Sequence, residues 1–236
     1  MQTSLQDFFA EGQVLLVDKP LEWTSHDVVA KIRNAIRIKK VGHAGTLDPL
    51  ATGLLILCTG KYTKRINEYM AQEKEYTGTI TLGAETPTYD LESEPIHFKS
   101  TTFLSMEIIE SAAKNFTGEI DQVPPKHSAI KQKGKPVYLM ARKGKDVVLE
   151  PRKIFIKHFD ITSFDNNESG CVVSFRVVCS TGTYIRSLAH DLGQHLGCGG
   201  YLSSLRRTRI GDYPVEDART IESILEWIKE LSKMDS

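Results

Sequence analysis

The 236-residue chain lacks the patterns that mark several protein classes. Lysine and arginine balance aspartate and glutamate, 30 against 30, so no overall basic charge indicates a nucleic-acid partner. The four cysteines form no C-x-x-C pair, and no histidine stands beside them at the spacing of zinc ligands. The sequence therefore predicts no metal site, and its cysteine usage fits a reducing compartment.

Long hydrophobic runs and export signals are also missing. No apolar run approaches the ~20 residues that a membrane-spanning helix needs. Residues 1–11 lack the basic and apolar regions of a signal peptide. We therefore expect a cytoplasmic protein with no membrane partner. With 40% hydrophobic residues the chain can form one large core or two small ones, and its length alone does not decide between them.

Basic residues are nevertheless concentrated in three stretches. The largest lies between Lys126 and Lys153. It overlaps the proline-, glycine- and lysine-rich stretch Pro124–Gly144, which we interpret as a long loop with a short helix at Val137–Arg142. Two smaller clusters lie at residues 31–40 and 206–209, whereas acidic residues collect mainly between 85 and 121. Three such clusters indicate a surface for phosphates, although any one of them alone is typical of an ordinary solvated surface.

Apolar periodicity predicts an α+β fold. β-Branched and apolar runs predict strands at Val14–Val17, Leu54–Cys58, Thr77–Leu82, Ile154–Ile161 and Val172–Val178. Helical spacing predicts helices at about Ser25–Ile38 and Phe103–Phe116, after a Thr183 cap, and across Ile221–Leu231. Thr24 and Asp27 have capping-box spacing at the first of these helices. Because strands and helices do not alternate regularly, the sheet should be mixed or largely antiparallel, with helices at its sides.

The segment Gly42–Gly53 has neither helical nor strand periodicity, and it contains a single acid, Asp48. Pro49 disfavours helical angles at Asp48, and the three glycines of the segment permit tight turns. A loop that presents one carboxylate suits a nucleophile or a base. Spacing alone favours the simpler interpretation, in which Asp48 caps a turn.

Two further residues have positions that suggest chemistry. Arg186 follows a polar turn and lies in the first turn of a predicted helix, where a cation opposes the helix dipole. It should therefore have an anionic partner, which is either a structural carboxylate or a phosphate. Tyr76 begins a predicted strand, and an exposed tyrosine there suits stacking on a base. A half-buried strand position is the commoner role for such a tyrosine.

In order and spacing, these stretches resemble the TruB family of tRNA pseudouridine synthases, from about Gly12 to Glu222. The matching motifs are Leu16–Pro20 with Thr24–Asp27, Gly42–Gly53, parts of Ser128–Gly144, Gly182–Arg186 and Leu205–Arg207. The resemblance implies a pseudouridine-synthase fold in a single catalytic domain, residues 1–236, with an RNA-gripping insertion at about 123–153. Because the sequence ends at Ser236, just after the terminal helix, we also expect the C-terminal RNA-binding domain common in the family to be absent.

The resemblance assigns three catalytic residues. Asp48 matches the essential aspartate that acts as the nucleophile, and Arg186 matches the arginine that pairs with it. Tyr76 matches the tyrosine that stacks on the target uracil and is a candidate base for the C5 proton. The implied reaction isomerises the T-loop uridine at tRNA position 55 with base flipping and without a cofactor, through either an acylal or a glycal.

Seven residues match positions that bind substrate or support the site. His43 matches a histidine that packs into the RNA loop, and Leu205 matches an apolar residue of the uracil pocket. The others are Lys19 and Pro20 beside the active-site loop, Asp90 in a motif near the RNA, and Lys131 and Arg142 in the insertion. This chain has Pro87 where the family motif has an aspartate.

The implied partner is the T-stem-loop of tRNA. We expect a monomer without an obligatory protein partner, because no large apolar stripe remains unexplained. Two alternatives stay open at this stage. A non-catalytic tRNA chaperone would use the same surface, and the loss of Asp48, Tyr76 or Arg186 would favour it. The catalytic subunit of a guide-RNA machine is a related possibility, against which the expected lack of a C-terminal domain argues.

Overall fold

The computed structural model describes residues 4–125, 131–132, 135–136, 149–167 and 170–234. Its strands are β1 (Val14–Lys19), β2 (Val41–His43), β3 (Ala51–Thr59), β4 (Lys74–Leu82), β5 (Gly118–Gln122), β6 (Lys131–Gln132), β7 (Lys135–Pro136), β8 (Arg152–Asn167), β9 (Gly170–Cys179), β10 (Gly200–Ile210) and β11 (Tyr213–Pro214). Its α-helices are α1 (Leu5–Glu11), α2 (Ser25–Ile36), α3 (Ile66–Ala71), α4 (Met106–Lys114), α5 (Ile185–His195) and α6 (Ile221–Met234), and short 3₁₀ helices lie at Gly60–Arg65 and Val215–Asp217.

The chain divides by its internal contacts into two units. The first unit holds residues up to Tyr76 and from Leu205 onward, and the second holds Thr77–Ser204. Strands β4 and β10 each have residues in both units. The candidate site residues are therefore described below within the unit to which each belongs.

Strand β3 is the centre of the first unit. It pairs antiparallel with β1 and β2 and parallel with β10. Leu55 and Leu57 pack into a cluster with buried residues of α1, α2 and α6, whereas Leu54, Ile56 and Cys58 pack into a second cluster on the opposite face. Because side chains alternate between the two faces of a strand, two covered faces explain the continuous apolar run of β3.

The second unit is built on two long antiparallel strands. Strand β8 pairs antiparallel with β9 and, on its other edge, with β5, and the order continues from β9 to β4. Helix α4 packs on β8 and on α5. The strand pairings within each of the two units confirm the predicted α+β class with a mixed, largely antiparallel sheet and flanking helices.

Helix α2 begins as the sequence predicts. The Thr24 side chain accepts a hydrogen bond from the Asp27 backbone N–H, and the Asp27 side chain accepts one from the Thr24 N–H, so the capping box is confirmed. The helix ends at Ile36, two residues before the predicted end, because Arg37 takes a left-handed conformation with φ 56°.

Two predicted helix starts are wrong. Helix α4 begins at Met106 rather than Phe103, because the Ser105 side chain accepts a hydrogen bond from the Ile108 N–H and so caps the helix there. Thr183 does not cap α5, since its hydroxyl donates instead to the Ser180 carbonyl at 2.9 Å. In both places a local hydrogen bond moves the boundary away from the apolar periodicity.

Only part of the predicted insertion falls within the described residues. There, β6 and β7 pair antiparallel. The predicted helix Val137–Arg142 lies outside the described residues. The extent of a single catalytic domain, and the lack of a further C-terminal domain, stay predictions. Among the helices of the described ranges, none has the length and apolar character that crossing a membrane requires.

Candidate active site

Asp48 lies in the turn that connects β2 to β3. Its carbonyl oxygen accepts a hydrogen bond from the Ala51 N–H at 3.0 Å, and the neighbouring Pro49 carbonyl accepts one from the Glu22 N–H at 2.9 Å. The turn is therefore closed on itself and tied to the segment after β1. Three buried side chains add further links to this loop.

Lys19, at the end of β1, is the first of these side chains. It is fully buried, and its Nζ donates to the carbonyl oxygens of Pro20 at 2.8 Å, Trp23 at 2.6 Å and Pro49 at 3.3 Å. Burial lowers the pKa of Lys19 to about 8, and the negative charge of Asp48 acts in the opposite direction. Lys19 thus joins the half-buried Pro20 to the carbonyl next to Asp48 and adds a positive charge to the loop.

Ser25, in the first turn of α2, is the second. Its hydroxyl oxygen accepts a hydrogen bond from the Leu47 N–H at 2.9 Å, and its hydroxyl donates to the Leu47 carbonyl at 3.1 Å. Both backbone groups of the residue before Asp48 are thereby satisfied in a buried position. Sequence reasoning missed this role, although Ser25 stands within the Thr24–Asp27 motif.

Arg207, on β10, is the third. It is buried, and its guanidinium donates to the Leu54 carbonyl at 2.7 Å and to the Gly45 carbonyl at 3.1 Å. Gly53 has φ 102°, and a Cβ there would clash with the backbone of Arg207, so only glycine fits between these strands. The match of Leu205–Arg207 to a family motif was the one sequence signal for this contact.

The other predicted site residues of the first unit have different degrees of burial. Burial, with a further contribution from Arg207, lowers the pKa of His43 and so favours its neutral imidazole. Leu205 is half-buried and pairs with Ala51 in the ladder between β10 and β3. Tyr76 is only 9% exposed, so its interpretation as an exposed edge residue is wrong.

In the second unit, Arg186 has the anionic partner that the sequence predicts. Its Nη1 lies 3.3 Å from Oδ2 of Asp90 and donates to the Thr88 carbonyl at 3.4 Å, and both charged side chains are about 95% buried. The Thr86 and Thr88 hydroxyls donate to the Asp90 carbonyl, which closes the loop around the exposed Pro87. The chain thus forms this loop with proline where the family motif has an aspartate.

Within each unit the structure brings predicted residues into contact. Lys19 contacts the Asp48 loop in the first unit, and Asp90 pairs with Arg186 in the second. The pairing of Arg186 with Asp48 stays a prediction. The backbone of Lys131 lies in β6, whereas Arg142 lies outside the described residues.

The link through Ser25 leads to a prediction about catalysis. Ser25→Ala leaves the buried N–H and carbonyl of Leu47 unsatisfied, which should cost about 1–3 kcal/mol of stability. The loosened loop should also lower the catalytic rate. Thr59→Val is the matched control, because the buried Thr59 hydroxyl likewise accepts from the Gln13 N–H and donates to the Phe9 carbonyl. Urea unfolding and single-turnover rates should separate the two variants, and equal rate losses would contradict the prediction.

Burial of Lys19 predicts a pH-dependent stability. Its folded-state pKa of about 8 lies below the ordinary value of 10.5, so the unfolded chain holds the proton longer as the pH rises. The free energy of unfolding should therefore increase between pH 8 and 10.5 by up to about 3 kcal/mol from this group. Lys19→Met should lack this increase. If urea unfolding showed the same change in unfolding free energy with pH for the wild type and for Lys19→Met, the prediction would be contradicted.

Comparisons with known proteins show which family this chain is similar to. The family model described as TruB family pseudouridylate synthase (N terminal domain) matches residues 33–185, and the tRNA pseudouridylate synthase B C-terminal domain matches residues 186–235. A tRNA pseudouridine synthase B of Flavobacterium johnsoniae is 51% identical over 217 residues, covering 89% of this chain and 93% of its own. One of Phocaeicola vulgatus is 49% identical over 226 residues, covering 93% and 94%.

Solved structures show the same fold. A chain of a Cbf5-Nop10-Gar1 complex superposes with a TM-score of 0.74 at 29% identity, covering 98% of this chain and 59% of its own. A chain of an H/ACA RNP bound to a substrate RNA that contains 2′-deoxyuridine has a TM-score of 0.71 at 27% identity, covering 97% and 56%. Because the family models and close relatives match nearly the whole chain, this protein belongs to the TruB family of pseudouridylate synthases.

Proposed function

We propose that this protein isomerises uridine to pseudouridine at position 55 in the T-loop of tRNA, with Asp48 as the nucleophile. The observation that carries the proposal is the Asp48 loop of a TruB-family chain, which three buried side chains, Lys19, Ser25 and Arg207, hold in one conformation. Holding a reacting group in place lowers the entropic part of an activation barrier.

The reaction breaks the C1′–N1 bond and forms a C1′–C5 bond, and it takes no electrons from an external carrier. In the acylal route the Asp48 carboxylate bonds to C1′ as uracil leaves, and C5 of the rotated uracil then displaces it. In the glycal route the same carboxylate removes the 2′ proton and later returns it. In both routes a base takes the C5 proton while N1 gains one, so the product is an isomer of the substrate.

The target base has to leave its stack before Asp48 can reach the ribose. Extruding a nucleotide costs a few kcal/mol, and stacking on an aromatic side chain offsets about 1–3 kcal/mol of that cost. We assign this stacking to Tyr76, whose burial suits a closed pocket better than an open surface. We further propose that Arg186 pairs with Asp48 in the RNA-bound enzyme, since a nearby cation favours an ionised carboxylate.

We assign the grip on the RNA mainly to the lysine-rich insertion at about residues 123–153, with His43 and Leu205 contacting the flipped nucleotide and its loop. Lys131→Ala/Lys133→Ala should lower affinity for tRNA and reduce the slope of log K against log salt by about 1.4–1.8 for two lost phosphate contacts. Filter binding at several salt concentrations measures this slope. An unchanged slope would mean that the other basic clusters make the phosphate contacts.

A monomeric state, independence from protein partners and a cytoplasmic location remain predictions from the sequence.

The function itself is tested by incubating the enzyme with an unmodified tRNA transcript, followed by carbodiimide labelling of pseudouridine and primer extension. We expect a single new stop one nucleotide 3′ of position 55 and none on a transcript with cytidine at position 55. Binding without any pseudouridine at enzyme excess would instead favour the tRNA chaperone.

A further inference from the structure

The loop Thr86–Asp90 contacts α5 at two points one helical turn apart. Asp90 forms the buried ion pair with Arg186. The ring of the preceding residue, Tyr89, stacks on His190 with centroids 3.9 Å apart and planes 11° from parallel. Because residues four apart lie on one face of a helix, Arg186 and His190 together hold two consecutive loop residues.

The backbone at Tyr89 is built for this double contact. In an extended chain, neighbouring side chains point to opposite faces. Tyr89 instead has φ 64°, a left-handed conformation that bulky residues rarely adopt and that persists where surrounding contacts impose it. Its carbonyl accepts a hydrogen bond from the Leu202 N–H at 2.9 Å, which anchors the loop to β10.

The stack joins two uncharged rings. Burial lowers the pKa of His190 and raises the pKa of Tyr89, and the nearby Asp191 and Glu85 raise the latter further. Nδ1 of His190 has no hydrogen-bond partner among the described residues. The contribution of His190 therefore comes from the face of its ring rather than from a charge or a polar contact.

We propose that the Tyr89–His190 stack is a positioning element for Arg186 in the isomerisation, an inference that rests on the function proposed above. The stack fixes the loop beside α5, and the fixed loop holds the Asp90 carboxylate against the guanidinium. Without the stack, the Asp90 carboxylate and the Thr88 carbonyl can still accept hydrogen bonds from Arg186, but the loop no longer fixes their positions. The guanidinium of Arg186 then loses its fixed orientation as well. Tyr89 and His190 touch neither the substrate nor the reacting atoms in this scheme.

Steady-state kinetics on a T-arm RNA tests the inference. Loss of a ring pair of this kind should lower kcat by about three- to tenfold. Tyr89→Leu and His190→Ala should each show that decrease in kcat, while KM stays within about twofold. Tyr89→Phe and His190→Phe keep a ring at each position and should restore kcat. His190→Gln keeps a polar side chain but removes the ring, so its kcat should fall as that of His190→Ala does. If His190→Ala fails to fold, His190→Gln takes its place in the test.

His195→Ala is the matched control on the same helix, because it removes an edge contact with Phe116 at 5.8 Å and a hydrogen bond to Asn115. Its kcat should stay near wild type. In an Arg186→Lys background, Tyr89→Leu should cause little further loss, because both changes act through the same guanidinium. A normal kcat in folded Tyr89→Leu and His190→Gln proteins would overturn the inference alone, whereas an inactive wild-type enzyme would overturn the proposed function.

Discussion

We expect Asp48→Asn to abolish pseudouridine formation while leaving affinity for tRNA within about twofold. An amide has nearly the shape of the carboxylate but supplies neither a nucleophile nor a base. Removal of such a group typically lowers kcat by a factor on the order of 10⁴ or more. Because Lys19, Ser25 and Arg207 bind backbone groups of the loop, the variant should keep the loop conformation.

Single-turnover assays on a T-stem-loop RNA measure this loss, and filter binding measures the affinity. Asp7→Asn is a suitable control, since it replaces an exposed carboxylate in the first turn of α1, in the same unit but away from the loop. Its rate should equal that of the wild type. Conversion by Asp48→Asn at a near wild-type rate would show that Asp48 is not the nucleophile.

The second large effect should come from Arg186→Met. The substitution leaves Asp90 as a buried carboxylate without its cation, and breaking a buried pair in this way typically costs about 3–5 kcal/mol. For a chain of this size the melting temperature should fall by roughly 6–20 °C. Pseudouridine formation should fall as well, because the proposed partner of Asp48 is lost.

A double variant separates the two effects of Arg186. In Arg186→Met/Asp90→Leu neither charge of this pair is left buried without its partner, so much of the stability should return, while the activity should not. Lys61→Met is the control, since its ion pair with Glu11 is exposed and should contribute little to stability. Calorimetry measures the stability of each variant, and single-turnover assays measure its activity. Recovery of both stability and activity in the double variant would assign Arg186 a purely structural role.

Local signals in the sequence were sufficient for much of the fold. The capping box of Thr24 and Asp27 marked the start of α2, and β-branched runs marked β8 and β9. These features depend on residues a few positions apart, so periodicity and capping chemistry reveal them. The helix start at Ser105 was missed because a serine hydroxyl competes with the apolar pattern over the same few residues.

The sequence by itself determined the α+β class, the family and the Asp48 loop as the candidate site. Only the tertiary structure showed what holds that loop and what Arg186 contacts. Ser25 reaches Leu47 over 22 residues, Lys19 reaches Pro49 over 30, and Arg207 reaches Gly45 over 162. Contacts between a buried side chain and a distant backbone group have no periodic signature, because folding rather than local spacing brings the two together.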